Sequence, residues 1–159
     1  MRRSPTLIVL ILLAMVACTG PSQTAAPIAS ITRFEASRFA GPWVMRHALG
    51  PDAPRALSFE ADQEQVTALR YIDGTGQRLA FSQAENTPHR ARFSDAAGRA
   101  YWVLWVDDDY RTALLGAPDR RFAWVIDRNP TGGADRIEAA LRLARANGYT
   151  PEAFTPYQP

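Results

Sequence analysis

At 159 residues the chain has the length of one domain. Its 47% hydrophobic and 21% charged residues describe an ordinary globule, and 10% aromatic residues with 12 prolines favour strands and turns over a helical bundle. The formal charge is +2, with 18 basic residues that are all Arg, and loss of Arg2 and Arg3 with an N-terminal leader brings it to zero; that excludes the concentrated basic face by which proteins hold nucleic acid.

The chain opens "MRRSPTLIVLILLAMVAC". Two arginines, an unbroken apolar run from Leu7 to Leu13 and small residues before a Cys have the form of a secretory signal, and the run is too short to span a bilayer as a helix. Met15-Val16-Ala17-Cys18 resembles a bacterial lipobox, in which the Cys is lipidated and becomes the new N-terminus. Cys18 is the sole Cys, so no disulfide forms within the chain. Residues 1–17 are thus expected to be a lipoprotein signal peptide. Residues 18–33, small, polar and punctuated by proline, are expected to be a flexible tether between lipid and domain. The residue after Cys18 is Thr19; in Gram-negative lipoproteins an Asp there commonly marks inner-membrane retention, so the resemblance implies the outer membrane, facing the periplasm.

From Pro42 to Arg128 the chain divides into eight short runs: "PWVMRHA", "RALSFEAD", "QVTALRYI", "QRLAFSQ", "HRARFS", "AYWVLWV", "YRTALLG" and "RFAWVIDR". Asp, Gly, Pro and Asn dominate the gaps, because they tolerate tight-turn dihedrals. Short strands at even spacing predict an all-β fold, an eight-stranded antiparallel up-and-down β-barrel. Alternation gives each strand an inner face: Ala91 and Phe93 oppose Arg90 and Arg92, and Leu79 and Phe81 oppose Arg78 and Ser82. The run "AYWVLWV" is apolar on both faces, so its outer face needs cover. A helix over about residues 135–147 can supply it, with Asp135 and Glu138 as a capping box, an apolar stripe of Ile137, Ala140, Leu141 and Ala144, and Asn147-Gly148 as a stop.

Three segments in this order resemble the lipocalin family, specifically its bacterial outer-membrane lipoprotein type similar to apolipoprotein D. They are "FEASRFAGPWVMRH" with Gly41 and Trp43, "VDDDYRTALL" with Asp109 and Tyr110, and "APDRRFAWVIDRNP" with Arg128. The resemblance covers Phe34 to Tyr149. It implies that residues 34–159 form a calyx whose closed end is sealed by Trp43 and Arg128, and that the chain binds a small hydrophobic molecule. If the first and last strands meet, a guanidinium over an indole face is a favourable stack of roughly 0.5–2 kcal/mol, and Arg128 can also donate to carbonyls near Ala40.

No catalytic set is legible. His47 and His89 lie in separate runs, and neither Gly-x-Ser-x-Gly nor His-Glu-x-x-His occurs. Some lipocalin relatives isomerise prostaglandins with a cavity Cys, a position empty of Cys here. Asp107-Asp108-Asp109 lacks the spacing of a calcium loop and reads as a turn. No enzyme, metal or cofactor is expected. Counting by twos from Trp43 turns Met45 and His47 inward, and counting back from Arg128 turns Ile126, Trp124 and Phe122 inward. The expected ligand lining is Met45, His47, Leu57, Phe59, Leu79, Phe81, Phe93, Tyr101, Val103, Trp105, Leu114 and Trp124. Such a lining suits an acyl chain, from a fatty acid or lysophospholipid; His47 is either a satisfied core or rim residue or a contact to a headgroup. The aromatic residues of a small barrel can equally fill it. The competing reading is therefore a non-catalytic envelope protein with a filled barrel that binds another protein. The chain is expected to be a monomer or weak dimer, held to the membrane through its N-terminal lipid.

Overall fold

A computed structural model of the protein describes residues 27–51, 53–72, 75–82 and 89–157. The expected signal peptide and Cys18 lie outside the described residues. All eight expected runs are strands: β1 (Gly41–Leu49), β2 (Ala56–Asp62), β3 (Gln65–Tyr71), β4 (Arg78–Ser82), β5 (Arg92–Asp95), β6 (Ala100–Val106), β7 (Thr112–Gly116) and β8 (Ala123–Asp127). Each pairs antiparallel with its neighbour in sequence, and β1 pairs with both β2 and β8, which closes the barrel. A short helix α1 (Ala36–Phe39) precedes it, while helix α2 (Ala134–Ala146) and a two-residue strand β9 (Thr155–Pro156) follow. Among the described residues no helix is long and apolar enough to cross a membrane.

The seam at β1 has two parts. Gly41 to Val44 pair with β2, whereas His47 and Ala48 pair on that side with β9. A free strand edge presents unpaired N–H and C=O groups; β9 covers those that β2 leaves.

Two bulges decide which side chains face inward. The β1–β8 register shifts between Met45 and His47, and the β6–β7 register shifts between Val103 and Trp105. An extra residue in one strand resets its alternation, so every later side chain changes face. Ala48 therefore joins the interior cluster, while His47 stands opposite Val125, a member of the outer cluster. Trp105 likewise stands opposite Leu114, and both pack into the outer cluster. The expectation that His47, Trp105 and Leu114 face the interior is corrected: counting by twos does not carry to His47 or Trp105 across the bulges, and β7, which has none, turns Ala113 and Leu115 inward and so Leu114 outward.

Helix α2 covers the outer face as expected, burying Ile137, Ala140 and Ala144 against Leu104, Leu114 and Val125. Its start differs from expectation. The helix begins at Ala134, behind a left-handed Gly133, and no side chain caps it. Asp135 thus falls inside the first turn, where its charge still suits the helix dipole, and Glu138 pairs with Arg142 at 2.6 Å. A buried clamp ties α2 to the barrel: the Thr112 hydroxyl donates to Asp127 at 2.5 Å, and Arg136 donates to Thr112 Oγ1 at 2.8 Å and to Asp127 Oδ2 at 3.3 Å.

The tether expected to run to residue 33 is also corrected. Ile28 is buried in the outer cluster, Ser30 Oγ accepts the Arg92 Nε–H at 2.7 Å, and the Ile31 N–H donates to Val103 O at 3.1 Å. Arg92 in turn lies 3.9 Å over the Trp102 ring. The outer face of β6, apolar on both sides, is covered by this segment as well as by α2.

Candidate functional site

The closed end is built where β1 enters the barrel. Arg128 lies 3.8 Å over the Trp43 ring. Its guanidinium donates to Arg38 O at 2.7 Å, Pro42 O at 2.8 Å, Ala40 O at 2.9 Å, Phe39 O at 3.2 Å and Tyr110 O at 3.3 Å. Trp43 Nε1 donates to Phe39 O at 2.8 Å. One cation thus gathers the carbonyls of α1, which point the same way as the helix ends. Burial pulls the Arg128 pKa down to about 10, so the group remains cationic at neutral pH. Gly41 has φ +93°, and a Cβ there would sit 3.4 Å from Arg128 Nη1, so glycine answers both the backbone and the space.

Tyr110 completes the seal. Its hydroxyl accepts the Glu35 N–H at 2.9 Å, and Arg38 lies 4.3 Å over its ring. The Asp run forms the β6–β7 turn: Asp107 accepts the N–H groups of Arg111 and Thr112, both at 2.6 Å. Gly41, Trp43, Tyr110 and Arg128 therefore meet at this end. Asp109 stands apart at the surface, paired with Arg111 at 2.9 Å.

Above this floor the barrel is filled. Ring centroids step from Trp43 to Phe39 (5.1 Å), Phe59 (4.7 Å), Phe93 (6.1 Å) and Tyr101 (6.3 Å). Met45, Leu57, Leu69, Val103 and Ile126 close the space around them. The stack ends at the opposite mouth, where Tyr101, Phe122 and Trp124 lie with centroids 5.0–6.0 Å apart. Over them opens a cavity of about 640 Å³, lined also by Tyr71, Gln77, Arg99, Asp119 and Arg121.

Electrostatics at the mouth centre on Asp95, which is buried. Burial by itself raises its pKa, but N–H groups of Arg99 and Ala97 and the Arg99 guanidinium at 2.7 Å outweigh that and hold it below the ordinary carboxylate value. The Tyr101 hydroxyl donates to Asp95 Oδ2 at 3.5 Å, a long contact, and burial pushes its pKa far up. Arg121 pairs with Asp119, two residues before it in the same turn at the rim. Trp124 is 3% exposed, and among the described residues its Nε1 has no hydrogen-bond partner.

Of the twelve expected lining residues, Tyr101 and Trp124 reach the cavity. Met45, Leu57, Phe59, Phe93 and Val103 are buried below it, and Leu79 and Phe81 pack, partly buried, against the same core. Trp105, Leu114 and His47 are outside the barrel. His47 sits between β8 and β9, where burial and the neighbouring Arg46 hold its pKa below the ordinary imidazole value. Tyr71, two residues beyond the inward Leu69, was reachable by the same alternation. Gln77, Arg99, Asp119 and Arg121 sit in turns, where no period exists to find them. Among the described residues no group of three or more His, Cys, Asp or Glu is placed to hold a metal ion.

Comparison with known proteins agrees with this geometry. A family model described as a lipocalin-like domain matches residues 51–159. The outer membrane lipoprotein Blc of Escherichia coli (strain K12) is 25% identical over 162 residues, spanning 88% of this chain and 87% of that protein. Temperature-induced lipocalin-1 of Arabidopsis thaliana is 33% identical over 63 residues, 35% of this chain and 34% of its own. Among solved structures, apocrustacyanin C2 superposes with a TM-score of 0.58 at 13% identity, covering 76% of this chain and 77% of its own. The siderocalin Ex-FABP does so with a TM-score of 0.56 at 14% identity, covering 77% and 95%. With a closed eight-stranded barrel, an outer helix and a matching family model over more than half its length, the chain belongs to the lipocalin family.

Proposed function

We propose that this chain is a lipid-anchored lipocalin of the outer membrane, facing the periplasm, that binds or carries a small hydrophobic ligand such as a fatty acid or lysophospholipid. The cavity at the mouth carries the reading: about 640 Å³, floored by aromatic rings, with a few polar groups at the rim. That volume is within the range of small-molecule sites, roughly 300–1,000 Å³. The leader ending in Cys18 and the likeness to the lipoprotein Blc along most of both chains support the location. A buried acyl chain gains about 0.8 kcal/mol per CH₂. Because the barrel is filled below Tyr101, that gain should stop at a short inserted length, leaving the rest of a long chain and any headgroup at the rim beside Arg99 and Arg121.

The test is a titration of the purified protein with fatty acids and lysophospholipids of graded length, read by tryptophan emission. Trp124 is the reporter, since Trp102 and Trp105 pack outside the barrel and Trp43 lies at the closed end. Affinity should rise with chain length and then level off. The packed lower barrel favours one competing reading, a non-catalytic envelope protein that uses its rim to bind another protein. No binding at micromolar concentration, together with no lipid on the purified protein by native mass spectrometry, would make that the better account.

A further inference from the structure

Traced backward, the N-terminal segment climbs the outside of the barrel from floor to mouth. Phe34 packs on Phe39 and Tyr110 at the closed end, with ring centroids 5.1 Å and 6.5 Å away. The Ile31 N–H donates to Val103 O, halfway along β6, at 3.1 Å. The Ala29 N–H then donates to Asn147 Oδ1 at 3.3 Å. Asn147 stands beside the β7–β8 turn: its carbonyl accepts from Arg120 Nε at 2.9 Å, and the hydroxyl of Tyr149 donates to Ala117 O at 2.8 Å. Ala117 lines the cavity. An anchor upstream of the buried Ile28 is thus attached on the mouth side.

The length of the tether favours that side as well. Ten residue steps separate Cys18 from Ile28, and a tether of the composition read above averages about 17 Å end to end. Strand β6 alone, Ala100–Val106, is about 20 Å long, so turning the closed end to the bilayer would stretch the tether well beyond its average.

The surface of the mouth suits a lipid. Ile72 is the one large hydrophobic residue exposed among the described residues, at 50%. It follows Tyr71 of the cavity wall, and the exposed Pro51 and Pro118 stand on the same rim. In sequence, the loops at the mouth, 50–55, 72–77, 96–99 and 117–122, hold four Arg and three Asp, whereas those at the closed end, 63–64, 83–91 and 107–111, hold two Arg and five acids. An anionic lipid surface attracts arginine and repels carboxylates, so it favours the mouth over the closed end.

Resting on the reading that Cys18 carries a lipid, we propose that the mouth of the barrel faces the bilayer and that its rim, at Ile72, Pro51 and Pro118, lies on an anionic phospholipid surface. The cavity then opens directly onto the lipid from which a hydrophobic ligand would come.

The test uses the full chain, extracted from membranes with its lipid and reconstituted into vesicles of phosphatidylethanolamine and phosphatidylglycerol. Single cysteines carry a fluorophore at the mouth, in Ile72→Cys or in Ala97→Cys should the first not fold, and at the closed end, in Gln63→Cys. Nitroxides on lipid headgroups should quench most of the emission from the mouth and little of that from the closed end, and the contrast should shrink on vesicles of phosphatidylcholine alone. Equal quenching at the two ends, or stronger quenching at residue 63, in protein that floats with the vesicles would overturn the inference and leave the anchor standing. An undiminished contrast on phosphatidylcholine would overturn the preference for an anionic surface. Wild type has no other Cys, so it should take no thiol label if lipid occupies the Cys18 sulfur. Labelling of Cys18, or failure to float with the vesicles, would overturn the anchor and the inference together.

Discussion

Arg128 shows how much one residue can organise. It stacks on Trp43 and donates to five backbone carbonyls, so it joins the entering segment, β1 and the β6–β7 turn at one point. Trp43→Ala should cost roughly 3–5 kcal/mol, as a cavity-forming truncation of a buried ring. Arg128→Ala should cost about 2–3 kcal/mol, chiefly from hydrogen bonds of a charged donor. In a double-mutant cycle by urea unfolding the pair should lose about 0.5–2 kcal/mol less than the sum of the singles; strict additivity would mean that the stack contributes nothing. Two tyrosines set the alkaline limit. Burial raises Tyr149 to about 12, and Tyr101 further. A raised folded pKa keeps its stabilisation below the unfolded value, near 10, and loses it as pH rises through the folded value. Each should therefore remove about 1.4 kcal/mol per pH unit above pH 10, and Tyr101→Phe should flatten the decline of stability measured between pH 10 and 12.

Among the elements, α2 depends on two different attachments. Its apolar stripe buries area without direction, while Arg136 reaches the fully buried Thr112 and Asp127 and fixes its position. Removing one partner of a buried pair leaves an uncompensated charge, and here Thr112 and the Asn129 N–H still serve Asp127. Arg136→Ala should thus cost about 2–3 kcal/mol, less than the 3–5 of a fully stranded charge. Hydrogen exchange should rise in α2 before it rises in the barrel strands; uniform protection across both would show that the stripe alone seats the helix. The stripe was legible from spacing. The clamp was not, because Thr112, Asp127 and Arg136 are neighbours only after β7, β8 and α2 have packed.

For the whole molecule, the N-terminal segment would link the fold to the proposed anchor. Ten residue steps separate Cys18 from the buried Ile28, at most about 35 Å of chain. A lipid on Cys18 would therefore hold the barrel close to the bilayer surface rather than on a long leash. Replacing Cys18 with Ser should move the protein from the outer-membrane fraction to a soluble one, or leave it as an unprocessed precursor. A variant that is processed and still sediments with the outer membrane would show that the anchor lies elsewhere.

The eight strands and the outer helix could be read from the chain because each is a local pattern: alternation or helical spacing between turn residues that permit few conformations. The Trp43–Arg128 seal could be read because its residues stand at fixed places in an ordered signature. Which side chains face the cavity was a different matter. Parity holds only along an unbroken strand, and the bulges beside Arg46 and Leu104 carry no glycine or other mark in sequence. They moved His47 and Trp105 to the outer face, and Leu114, opposite Trp105, lies there by the unbroken alternation of β7. How deep the cavity reaches was decided later still, by whether rings from many strands and a helix interlock across the barrel. That is a property of packing among residues far apart in sequence, and only the tertiary structure shows that it leaves the mouth open over Tyr101 and Trp124 while closing everything beneath.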